Sequence, residues 1–124
     1  MKVQELRIGN YLELLGEIRK VEGIFNLPKR KEMYWIKCEG IIDTKIIHYK
    51  PIPLTEEWLL KFVFDKDIDD FYLDINTVLF VSYNDDEFVH LKSNHLETIA
   101  SIKYVHQLQN LYFALTGEEL MLKQ

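Results

Sequence analysis

Between positions 19 and 35 the chain sets five cations, Arg19, Lys20, Lys29, Arg30 and Lys31, close to two large rings, Tyr34 and Trp35. Guanidinium and ammonium groups pair with phosphate oxygens, and an aromatic face stacks on a nucleobase. The combination therefore fits a nucleotide or a single strand of nucleic acid. A plainer reading also fits: lysines at a hairpin tip keep an exposed edge from pairing with other molecules, and Trp35 packs in a core behind them. A second group, His106, Gln109, Asn110 and Phe113, belongs to a run from Val105 to Thr116 without a formal charge, in a chain whose charged residues make up 28%. Neutral amides are buried at lower cost than charges when each finds a partner, which predicts that this face of a helix is covered. The cover is either the chain's own loops or a second subunit or ligand, and in the second case these four residues are its contacts.

Catalytic and metal chemistry find no such footing, and no catalytic residue, metal ligand or cofactor is assigned. His48, His90, His95 and His106 share no zinc-ligand spacing with the lone Cys38. Asp65, Asp67 and Asp69 match the first three ligand positions of a calcium loop, but Asp70 stands where the sharp turn needs glycine and Asn76 where the loop needs its bidentate glutamate. Neither a Gly-rich phosphate loop nor a serine in a nucleophile elbow is present. Cys38 lies in an apolar run, where a thiol is usually inert packing. A chain this small without a reactive cluster leans toward binding rather than catalysis.

With 124 residues, 48% hydrophobic and 13% aromatic, the chain is long enough to bury about two-thirds of its unfolded surface as one domain, 1–124. Charge divides it. Residues 1–54 hold ten Lys or Arg against seven Asp or Glu, net +3, and residues 55–124 hold five against thirteen, net −8. The domain thus reads as a basic, β-rich half and an acidic, mixed half, an asymmetry that is either an accident of surface composition or a guide for an anionic partner. One cysteine and an N-terminus without an apolar leader point to the cytoplasm. No apolar stretch reaches the roughly 20 residues of a membrane helix.

The elements that would position these residues follow from periodicity. YLELL, EIRKVEGIF, MYWIKC and TKIIHYK are short runs rich in Tyr, Trp, Ile and Val, punctuated by Gly9-Asn10, Gly16, Gly23, Pro28 and Gly40, and read as four or five strands that end at Pro51 and Pro53. So few residues must curl to bury an apolar face, which predicts a strongly curved antiparallel sheet or a small SH3-like barrel. Thr55 then caps a helix of about two turns, with Glu56 and Glu57 in its first turn and Trp58, Leu59 and Phe62 on its apolar face. FYLDINTVLFVSY and EFVHLKS flank the turn signal Asn84-Asp85-Asp86, and HLETIAS adds a third strand to a β-meander. A final helix, starting near Ser101 and stopped at Thr116-Gly117, lies across one face of the sheet and buries Val105, Leu108, Leu111, Tyr112 and Leu115. The fold class is α+β.

PIPLTEEWLLKFVF and YVHQLQNLYFALTGEEL, together with the opening LRIGNYL, resemble the signature of an uncharacterised family of small proteins from gut anaerobic bacteria and the bacteriophages that infect them. Val63 stands where the pattern expects glycine. The resemblance spans the chain in outline and implies a phage or prophage setting. A small acidic protein there often works by binding a host or phage macromolecule. The expectation is thus a non-enzymatic interaction protein, acting alone or as a homo-oligomer, with a nucleotide- or nucleic-acid-binding module as the alternative.

Overall fold

The computed structural model describes residues 2–26, 33–62, 65–67, 70–75, 77–83, 89–92 and 98–122, with the backbone alone between 63 and 101. In chain order the elements are β1 (Tyr11–Leu14), β2 (Glu17–Asn26), β3 (Tyr34–Cys38), β4 (Thr44–Lys45), β5 (Tyr49–Lys50), α1 (Glu56–Lys61), β6 (Asp65–Asp67), β7 (Asp70–Ile75), β8 (Thr77–Tyr83), β9 (Val89–Lys92), β10 (Thr98–Ile102) and α2 (Val105–Thr116). They fall into two compact units, Met1–Ile52 with Val105–Glu119 and Pro53–Tyr104 with Leu120–Gln124.

In the first unit the strands run in the order β4-β3-β2-β1-β5, every neighbouring pair antiparallel. Five strands form, and β5 ends at Lys50, immediately before Pro51. The sheet is open. The described strands contain no pair that joins β4 to β5, so the closed barrel raised as one alternative is not formed. Each edge strand has two residues, and the 3-10 turn Ile46–His48 between them leaves little backbone for a closing ladder.

Leu15 and Gly16 link β1 to β2 with φ values of 52° and 82°, the left-handed backbone that tight hairpins need. Register then shifts within β2. Val21 opposes Cys38 and Gly23 opposes Lys37, so Glu22 is the extra residue of a bulge. Because of it Val21 and Ile24, three apart, both face inward. The inner face holds a core of Leu6, Leu12, Val21, Ile36, Cys38 and Tyr49, with Leu14, Ile24, Ile41 and Ile46 packed against it.

α2 belongs to this unit. Its Val105 N–H donates to the Ile52 carbonyl, and Val105, Leu108 and Tyr112 are buried. The start near Ser101 expected from the sequence is corrected: Thr98–Ile102 is strand β10, paired with β9. The stop falls where expected, with Gly117 at φ 76° and its N–H donating to the Phe113 carbonyl.

In the second unit Thr55 caps α1, its hydroxyl accepting from the Trp58 N–H at 3.3 Å. Trp58, Leu59 and Phe62 are buried, and the Trp58 and Phe62 rings lie 5.8 Å apart. The sheet is a meander in the order β10-β9-β8-β7-β6. Five strands replace the three expected: Ile75 pairs with Thr77, so the run FYLDINTVLFVSY is two strands, and Asp65–Asp67 adds a fifth, paired with β7. Tyr83 pairs with Val89 across the expected hairpin, whose turn at Asn84-Asp85-Asp86 lies outside the described residues.

Candidate binding surface on the first sheet

The uncharged face of α2 is covered by the chain's own N-terminal segment. Gln109 is fully buried. Its side-chain oxygen accepts from the Tyr11 N–H at 2.9 Å and from Asn10 Nδ2 at 3.5 Å, and its Nε2 donates to the Gly9 carbonyl at 3.0 Å. Asn110 Nδ2 donates to the Glu5 carbonyl at 2.6 Å, while its oxygen accepts from Asn10 Nδ2 at 2.8 Å and from an Arg7 guanidinium N–H at 3.1 Å. Arg7 also pairs with the Glu119 carboxylate and lies 4.0 Å from the centroid of the Phe113 ring. LRIGNYL folds to meet these amides because Asn10 accepts the Arg7 N–H at 2.7 Å and Gly9, at φ 99°, turns the chain. Gly9 N–H then donates to Val21 and Val21 N–H to Asn10, which leads the segment into β1.

His106 is buried on the same helix, with Nε2 3.9 Å from a Glu5 carboxylate oxygen. Burial holds its pKa below the ordinary histidine value, and the nearby carboxylate opposes that only in part. Of the four residues proposed as contacts for a second subunit or ligand, His106, Gln109 and Asn110 are thus engaged within the chain, and Phe113 keeps a partly exposed ring.

Of the seven residues of the basic-aromatic cluster, the four that are described are divided by the sheet. Lys29, Arg30 and Lys31 lie outside the described residues. Arg19 opposes the buried Leu12 and so shares the inner face, where it pairs with Glu17 at 2.5 Å; Lys20 is on the outer face and exposed. Tyr34 opposes Asn26 and Trp35 opposes Phe25, which puts the two rings of the cluster on opposite faces of β3. Trp35 is therefore not a core residue, as the plainer reading had it, because the inward position beside it belongs to Ile36.

The outer face instead assembles residues that the sequence keeps apart. Phe25 on β2, Trp35 on β3 and Lys45 on β4 occupy consecutive strands in register. The two rings are stacked, 6.5 Å between centroids and 13° between planes, and Lys45 Nζ lies 5.6 Å from the indole centroid. Lys37 is exposed two residues along β3 on the same face, opposite Gly23, which has no side chain. Phe25, Lys37 and Lys45 were missed in the sequence. The signal was there in the alternation of EIRKVEGIF, but the bulge at Glu22 reverses which residues face out.

Of the buried titratable groups, Cys38 Sγ lies 3.5 Å from the Tyr49 hydroxyl, and burial, followed by the cysteine's own influence, pushes the phenol well above its usual pKa. Both are core residues. Among the described residues no group of three His, Cys, Asp or Glu side chains is placed to hold a metal ion, and no helix is long and apolar enough to cross a membrane. No protein-family model, curated protein or solved structure matches the chain.

Proposed function

We propose that the protein is a non-enzymatic binding module that engages a macromolecule through the outer face of β2, β3 and β4. The observation that carries this reading is the Phe25–Trp35 stack, left partly exposed beside Lys45. Aromatic rings are the side chains most enriched at binding surfaces, and a stacked pair is held in place before any partner arrives. Order β4-β3-β2-β1-β5, with a 3-10 turn between β4 and β5, supports reading the first unit as a half-open relative of the SH3-like barrel. The resemblance to small phage and prophage proteins favours a partner met in the bacterial cytoplasm.

A pull-down from host and infected-cell extracts, with mass-spectrometric identification of proteins and co-purifying nucleic acid, tests the surface. A partner recovered with the native chain should be lost with a Phe25→Ala, Trp35→Ala, Lys45→Glu triple variant. Retention of the partner by a triple variant with native circular dichroism refutes the assignment.

A further inference from the structure

We infer that this outer face takes single-stranded nucleic acid, with a base stacked on the Phe25–Trp35 pair and flanking phosphates on Lys37 and Lys45. The inference rests on the binding-module reading and names the partner's chemistry. In the paired stretch the outward positions are Gly23, Phe25, Trp35, Lys37 and Lys45, with no carboxylate among them. In a chain of net charge −5 the described residues paired around the two rings thus carry positive charge, with the exposed Glu22 standing outside the pairing as the bulge residue. That pattern selects an anion which also has flat apolar surfaces, and a nucleic acid strand has both.

Geometry agrees with an extended strand. Neighbouring strands are about 4.8 Å apart and residues two apart on one strand about 6.7 Å, so Lys37 and Lys45 stand on different sides of the Trp35 ring. Gly23 opposes Lys37, and a Cβ there would lie 3.4 Å from the lysine's own Cβ, so the missing side chain leaves the face open beside Phe25. Lys45 now rests over the indole. A base arriving on that ring displaces the ammonium group, which moves to the adjacent phosphate. The exchange is favourable because stacking on a base is worth more than an exposed cation–π contact. Recognition is through faces and phosphates rather than base edges, so the site tolerates sequence. A mononucleotide offers one stack and one phosphate and binds far more weakly than an oligomer.

Fluorescence anisotropy with labelled twelve-residue oligo(dT) and oligo(rU) at low salt, with dTMP and UMP as competitors, tests the inference. Expected are binding to both oligomers, weak competition by the mononucleotides, and an affinity that falls with salt at a slope of about −0.7 per phosphate contact, hence about −1.4 for two. Trp35→Ala should weaken binding roughly 5- to 150-fold, with Trp35→Phe recovering most of it. The Lys37→Ala, Lys45→Ala pair should flatten the salt dependence. That pair leaves the rings and the core untouched, so it reads the site even if Trp35→Ala fails to fold. Absence of oligomer binding at low salt overturns the inference, as does binding indifferent to both sets of substitutions or competition by mononucleotides as strong as by oligomers. The binding-module reading fails separately, when the triple variant keeps a captured partner; a protein captured through this face without oligomer binding overturns only the nucleic-acid inference.

Discussion

Replacing Gln109 with alanine removes one side chain and strands two backbone groups. The Tyr11 N–H loses its acceptor at 2.9 Å and the Gly9 carbonyl its donor at 3.0 Å, at a side chain buried to 1% exposure. Asn10 Nδ2 keeps its bond to Asn110 and loses only the longer one. Each stranded buried group costs about 1–3 kcal/mol, so the loss should be about 2–4 kcal/mol once some water reaches them. Gln109→Glu separates donor from acceptor. An ionised carboxylate still accepts from Tyr11 but sets a second acceptor against the Gly9 oxygen, whereas the protonated acid can donate to it. The introduced carboxyl thus has a folded pKa above its unfolded value near 4.3. Below about pH 4 the group is protonated in both states and the variant comes closest to the native chain. Stability is then lost as pH rises from about 4.3 through the folded pKa, where the unfolded state binds fewer protons than the folded one. Urea unfolding followed by circular dichroism, from pH 3.5 to 8, reads both effects. A Gln109→Ala loss below about 0.5 kcal/mol, or a Gln109→Glu penalty independent of pH, would refute the assignment of these amides as the clamp between α2 and the N-terminal segment.

Three further substitutions probe the frame. Thr55→Ala removes the α1 cap and should cost about 1 kcal/mol in urea unfolding. Leu15, 94% exposed at φ 52°, sits in backbone that asparagine adopts more readily, so Leu15→Asn should stabilise by about 0.5–1 kcal/mol and raise the unfolding temperature by a few degrees. His106 is buried with a depressed pKa, so the unfolded chain takes up its proton first on acidification. Stability of the native chain should therefore fall as pH drops below about 6.5, and His106→Gln should show a shallower fall over that window. Equal slopes for the two chains would mean that another group carries the acid limb.

Local signals were legible where the chain needs only its neighbours. Thr55 with Glu56 and Glu57, Gly117 after Thr116, and Pro51 after Lys50 fix ends through backbone chemistry, and each lies where the sequence predicts. The uncharged face of α2 predicted its own burial for a sound reason, since amides without charges need partners. Which partners was beyond the sequence: Gln109 meets Gly9 and Tyr11 across about a hundred residues of chain, and neither a period nor a motif records that pairing. The binding face was half legible. The sequence marks Trp35 as a ring of the site, but its neighbour Tyr34 lies on the other face, because strand alternation separates adjacent residues. The bulge at Glu22 hid Phe25, because period-two counting along β2 fails once an extra residue enters the ladder. In the second sheet, FYLDINTVLFVSY concealed a reversal because Asp74 and Asn76 alternate with Ile75 as the residues of a continuous strand do.

The most direct measurement uses the chain's two tryptophans as internal reporters. Trp35 lies on the proposed face, and Trp58 is buried in α1 of the other unit. In a 15N-edited NMR titration with a twelve-residue oligo(dT), the Trp35 indole N–H signal should shift progressively, joined by the amides of Phe25, Lys37 and Lys45, while the Trp58 indole signal stays in place. A titration in which the Trp35 signal is unmoved, or in which the shifts gather on α2 instead, would contradict the proposal.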